Sequence, residues 1–232
     1  MQTLKPGAIL ERLYKKIKSE AEKSLIRELR IGLSYVAVNL DNGKTGLAAV
    51  LRDSTQKENV AIPDAVLYPG KYAMALLDYL TESETAPYRA FGLATANALI
   101  EPPCDRTEDR EATTYFNLMP GEKVAMVGLF TQLVERIHAT GAHLTIIEKN
   151  PARINLLSGE EKKQALKECD VAIITATTLL NNTLEETLTM LGRPRIVALM
   201  GPSTPLVPEI FSGTPINHLG GAIVTNHQHV LQ

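Results

Sequence analysis

Residues 122–148 read EKVAMVGLFTQLVERIHATGAHLTIIE, and the fold turns on how this stretch divides. KVAMVG (123–128) is a short, nearly unbroken apolar run that ends on glycine. TQLVERIHAT (131–140) carries a helical pattern, and HLTIIE (143–148) is an apolar strand again. Downstream the alternation continues: strand DVAIIT (170–175), helix TLEETLTML (183–191), strand RIVALM (195–200) and a last strand GAIVT (221–225). The stretch 150–168 is poorly defined, although GEEKK (159–163) reads as a solvated helix face. Near-continuous apolar strands alternating with helices predict a mostly parallel, Rossmann-like sheet covered on both faces. Its strand order is either 3-2-1-4-5 or 2-1-3-4-5.

The first half has another rhythm. Leu10, Leu13, Ile17, Ala21 and Leu25 recur at helical spacing, which predicts one amphipathic helix over 8–29. GLSYVAVNL (32–40) and TGLAAVL (45–51) flank the turn DNG and read as a hairpin. Helical patterns follow at 71–80 and 88–100, and the polar, proline-bearing stretch after residue 100 marks a boundary. The expected organisation is an α+β domain over 1–105 and a Rossmann-like domain over 106–232.

Composition narrows the function classes. The 232 residues are 44% apolar and 22% charged, as in ordinary globular domains. A formal charge of −2 argues against a broad nucleic-acid footprint. With no Trp and 5% aromatics, a base-stacking surface is not expected either. No apolar run approaches the roughly 20 residues that span a bilayer. The N-terminus lacks a signal peptide's apolar core, and two cysteines, Cys104 and Cys169, make no disulfide framework. The expectation is a cytoplasmic protein without a nucleic-acid or membrane partner, free to form a homo-oligomer.

In open α/β sheets ligands bind beyond the carboxyl ends of the strands. After the first strand, Gly128 and Phe130 open a helix whose N-terminus can hold an anion. One glycine is not the G-x-G-x-x-G of dinucleotide sites. Glu148 ends the second strand, where a ribose-binding acid would stand; otherwise it is a loop residue. Thr175, Thr177 and Asn181 follow the third strand, with Asn182 or Thr183 available as a helix cap. Gly201, Pro202, Ser203 and Thr204 follow the fourth, and Pro202 with Pro205 makes this segment a rigid wall. Hydroxyls and amides without formal charge suit a neutral or anionic small ligand. His227 and His229 would share one face of a last strand, a usable transition-metal spacing that His218 and Cys104 could complete.

AFGLATANALI (90–100), PGEKVAMVGLF (120–130), DVAIITATTLLNNTLEETL (170–188), ALMGPSTPLVPEIF (198–211) and GGAIVTN (220–226) resemble the heavy-metal chelation family. The resemblance implies an enolase N-terminal-like domain joined to a Rossmann-like one, with a site between them. Asn97 would then face Gly128, Phe130, Thr175, Thr177, Asn181 and Gly201–Thr204. The implied role, in metal homeostasis, is binding a small anionic chelator or its metal complex in the interdomain cleft, with a part in its synthesis or processing. A transition metal is the cofactor it suggests. Asn226 stands where the family would favour an acid. The alternative is a nucleotide- or S-adenosylmethionine-dependent enzyme using Glu148.

Overall fold

The computed structural model describes residues 4–51, 65–101 and 113–230. Ile9, Leu10, Leu13, Ile17 and Ala21 lie along one buried stripe of the first helix, α1 (Ala8–Ala21). The helix expected over 8–29 ends there, because Ile26–Ile31 forms a strand, β1. β2 (Tyr35–Leu40) and β3 (Thr45–Ala49) make the expected hairpin, and the antiparallel order is β1-β2-β3. Two short helices, α2 (Met74–Leu77) and α3 (Tyr79–Glu82), lead into α4 (Ala86–Leu99). α4 lies directly on β3, and Gly46 is what admits it. A Cβ on Gly46 would stand 2.1 Å from the Ala94 carbonyl oxygen and 2.2 Å from the Ala98 nitrogen.

The second half runs α5 (Thr113–Phe116), β4 (Lys123–Val127), α6 (Thr131–Ala139), β5 (His143–Ile147), α7 (Gly159–Glu168) and β6 (Val171–Thr175). α8 (Thr177–Leu180), α9 (Leu184–Met190), β7 (Ile196–Met200), β8 (His218–Gly220) and α10 (His227–Val230) complete it. All five strands are parallel in the order β5-β4-β6-β7-β8, so the 2-1-3-4-5 alternative is the one adopted. The strand expected at 221–225 is a correction: the last strand is β8, just upstream, and the chain then runs irregularly into α10. Positions two apart on a helix do not share a face. The strand geometry that paired His227 with His229 is therefore absent, and the side chain of His229 lies outside the described residues.

The two halves share a core. Ala125, Ala172, Ile174, Val197 and Leu199, on one sheet face, belong to the same buried cluster as Ile9, Leu13, Phe91 and Leu93. The opposite face buries Val124, Met126, Val171 and Ile173 against Leu133 and Ile137 of α6. Polar ties cross the seam. Ile9 N–H donates to the buried Glu185 carboxylate at 3.1 Å, Arg12 reaches the Ile210 and Ser212 carbonyls, and Arg89 Nε reaches the Leu180 carbonyl. Each large apolar side chain buried there contributes about 1.5–3 kcal/mol, so sliding one half over the other would expose core. The boundary expected at residue 105 lies outside the described residues, and the buried core includes side chains from both halves. Among the described residues no helix is long and apolar enough to cross a membrane.

Candidate functional site

β5 and β6 flank β4 on opposite sides, so the loops leaving β4 and β6 diverge at the carboxyl edge, the place where open α/β sheets form their binding crevice. Gly128 sits at its base with φ +84, a conformation costly for residues with a Cβ. A Cβ there would also meet Thr175 Cγ2 at 2.7 Å. Gly128 thus lets the β4 loop lie against β6, while its N–H donates to the Ile147 carbonyl at 2.9 Å. Half-buried Phe130 follows and begins α6, which no side chain caps. The positive end of that helix faces the crevice.

Across it, the Thr175 and Thr177 hydroxyl oxygens are 3.0 Å apart and half-buried. One donates to the other, which leaves one hydroxyl proton for a ligand. Asn181 Oδ1 accepts from the Thr183 hydroxyl at 2.5 Å, and the Asn181 N–H bonds back to the Thr177 carbonyl at 3.3 Å. The expected side-chain cap of α9 by Asn182 or Thr183 is not made. Asn182 adopts φ +54, and its Oδ1 is buried without a partner.

In the Gly201–Pro205 segment the Ser203 hydroxyl turns toward the N-terminal half. Gly201, at φ +112, lies beside Phe130: a Cβ on it would stand 3.9 Å from the ring. Ser203 and Thr204 are each 2% exposed. Ser203 Oγ accepts the Ala49 N–H from the end of β3 at 2.8 Å. Asn97 Nδ2 donates to the Leu47 carbonyl at 2.8 Å and reaches the Pro202 carbonyl at 3.5 Å. Asn97 Oδ1 and Thr204 Oγ1 are buried in this joint without partners. Contacts therefore run from Asn97 through Pro202 and Gly201 to Phe130, Gly128, Thr175, Thr177 and Asn181. Those positions come together as a set.

Glu148 does not join them in an open role. Its Oε1 accepts from the Lys149 and Asn150 N–H groups, and Oε2 from Arg153 at 3.0 Å. Burial works to raise its pKa, but the Lys149 N–H, Arg153 and the Asn150 N–H together bring it below the usual value. Both oxygens are spent on the residue's own loop. The next residue, Lys149, stands just beyond the carboxyl end of β5, a charge that sequence patterning did not single out, because only the fold shows which charges nearby are paired.

Among the described residues no three His, Cys, Asp or Glu side chains gather as a metal site. His218 packs edge-on against Phe116 at 5.8 Å, and burial lowers its pKa. Cys169 is buried with its thiol on the Leu166 carbonyl, and burial pushes that thiol up to about 11, so it is structural. Cys104 lies outside the described residues. The described donor set does not fit direct coordination of a metal ion by the chain. A separate cavity of about 410 Å³ lies between α1, the β2–β3 turn and Leu206–Glu209. The ion pairs Lys16–Glu209 and Lys44–Glu101 already occupy charges on its rim.

Known proteins agree with this architecture. Two family models, both described as "Putative heavy-metal chelation", match residues 14–100 and 111–232. An uncharacterized protein of Methanocaldococcus jannaschii is 30% identical over 101 residues, a span that covers 42% of this chain and 39% of that protein. A crystal structure from Pyrococcus horikoshii, of unknown function, superposes with a TM-score of 0.80 at 23% identity, over 95% of this chain and 89% of that one. One from Desulfitobacterium hafniense, also of unknown function, gives 0.73 at 21% identity, over 94% and 90%. At those identities the likeness is one of fold. The matched models span both halves of the sequence, and the chain belongs to the family that bears that heavy-metal chelation description.

Proposed function

We propose that this protein binds a small anionic chelator, or its metal complex, in the carboxyl-edge crevice, where Asn97 and Gly201–Thr204 close the side nearer the N-terminal half. One observation carries the reading. At the switch point between β4 and β6, the uncapped start of α6, the left-handed Gly128 and the Thr175–Thr177 hydroxyl pair converge. The one carboxylate in the segments that follow β4 to β7, Glu148, is tied into its own loop. Such a surface offers hydrogen-bond donors to negative oxygen atoms.

The family's chelation-related character fits if the metal arrives as cargo inside its chelator, because the described residues gather no ligand set of their own. The crevice hydroxyls pair with each other rather than with a histidine or carboxylate. That favours binding over nucleophilic chemistry. The shared core holds the crevice in one shape, which lowers the ordering cost of binding. Wider roles in making or processing the chelator would use the same crevice. A nucleotide-binding role for Glu148 would first have to displace Arg153 and two backbone donors.

Isothermal titration of the full chain with citrate, with Ni²⁺, and with the Ni²⁺–citrate complex tests the proposal. Citrate and its complex are expected to bind while the free ion gives no heat. Heat from the free ion alone, or from none of the three, would overturn it.

A further inference from the structure

Lys149 follows Glu148 at the carboxyl end of β5, and β5 is held against β4 where Gly128 N–H meets the Ile147 carbonyl at 2.9 Å. That places it at the lip of the crevice. The segments following β4 to β7 at this edge (128–130, 148–158, 176–183 and 201–207) carry three formal charges, Glu148, Lys149 and Arg153. Glu148 and Arg153 cancel each other at 3.0 Å. Among the described residues Lys149 has no carboxylate within ion-pair distance.

The charged groups around the ammonium are Glu186, in the first turn of α9, Lys162, in α7, and Glu148. α7 follows β5, and α9 follows β6 after the short α8; β5 and β6 are the strands on either side of β4. The Lys149 side chain is exposed, yet crowding along its length withdraws water from the charge and lowers its pKa. An unpaired, partly desolvated cation beside a donor-lined crevice is the arrangement an anion would complete.

We infer that Lys149 supplies the counter-charge for the ligand of this crevice, which makes that ligand one with at least one carboxylate or phosphate group directed at β5. The inference rests on the proposed reading of the crevice as an anion site. A lysine acts here as a point charge without bidentate geometry, so an arginine can stand in for it.

The test is titration of wild type, Lys149→Met and Lys149→Arg with citrate at low and high salt, with neutral trimethyl citrate as control. Because the residue is exposed, both variants are expected to melt like wild type. Lys149→Met should weaken citrate binding about tenfold at low salt and flatten its salt dependence. Lys149→Arg should stay within about threefold of wild type, and trimethyl citrate should not distinguish the three proteins. A purely structural lysine would leave the salt slope intact. Wild-type affinity and salt slope in Lys149→Met would overturn the inference and leave the crevice reading standing. Wild type that ignores citrate would overturn the crevice reading, and the inference with it.

Discussion

The two edges of the parallel sheet use their polar residues differently. At the amino edge charges are locked together. Arg195 forks onto both oxygens of Glu122 at 2.7 and 2.8 Å, and the Met119 N–H adds a third bond to that carboxylate. Lys123 pairs with Glu168 at 2.7 Å, and Asp170 accepts the Lys123 N–H at 2.9 Å. Asn217 bridges the Val197 N–H and the Arg195 carbonyl. At the carboxyl edge stand two left-handed glycines, a pair of hydroxyls, an uncapped helix and a lysine without an ion-pair partner among the described residues. The backbone between the edges is the same. The amino edge holds the strands in place, and the carboxyl edge carries the donors that the proposed ligand would meet.

The largest expected effect would blur that division at one point. Gly128→Ala places a Cβ at positive φ and against Thr175. It should cost about 2–4 kcal/mol of stability in urea unfolding and remove citrate binding. Adding Thr175→Ser, which deletes the Cγ2 in the way, should recover part of the loss and leave the backbone strain. A neutral Gly128→Ala would mean that the β4 loop does not lie against β6.

Next in size is the joint. Ser203→Ala strands the Ala49 N–H and should cost about 1–2 kcal/mol, while citrate affinity stays within about twofold of wild type. The opposite result, weakened binding at an unchanged melting temperature, would turn the Ser203 hydroxyl toward the ligand and erase the distinction between wall and crevice. Thr177→Val sharpens the same contrast from the other side. Valine keeps the shape and removes a half-exposed hydroxyl, so stability should move by less than about 0.5 kcal/mol. Citrate binding should weaken about fivefold, the worth of one hydrogen bond. A variant that binds like wild type would remove the hydroxyl pair from the site.

How far these edges are legible in sequence depends on range. β4, β6 and β7 are buried apolar runs, and their own composition gives them away. β1 is disguised. A bulge between Ile26 and Glu28 shifts its register, so buried Ile26 and Leu29 fall three apart, as on a helix, and no Gly or Pro separates them from α1. α7 did carry a local signal, the capping box of Ser158 and Glu161, inside a stretch that otherwise looked shapeless. Gly128, Thr175 and Thr177 are legible as a set because strand ends of a parallel sheet converge by topology. The direction of the Ser203 hydroxyl is not, since its partner Ala49 is 154 residues away. The same holds for the isolation of Lys149, which exists only because Arg153 folds back onto Glu148. GAIVT (221–225) has strand composition, but upstream residues 218–220 already pair with β7 and the chain then leaves the sheet.

The smallest effect belongs to the amino edge and is a matter of pH. Arg195 is the main influence holding the Glu122 carboxyl below its usual pKa; burial opposes it, and the Met119 N–H and the guanidinium charge reinforce it. A carboxylate depressed in the folded state stabilises the fold above its unfolded pKa of about 4.3. That contribution is lost as pH falls through the lower, folded value. Arg195 is 38% exposed at its side chain, so solvent screening keeps the worth of the pair to about 1 kcal/mol or less. Glu122→Gln should therefore melt slightly below wild type at neutral pH, and the gap should close as pH drops below about 4. Citrate affinity should not move at any pH where both proteins are folded, because Glu122 lies at the opposite end of β4 from Gly128. A gap that persists in acid would assign the loss to packing rather than charge. A change in citrate affinity would show that the two edges are coupled through the sheet and that their division of labour is incomplete.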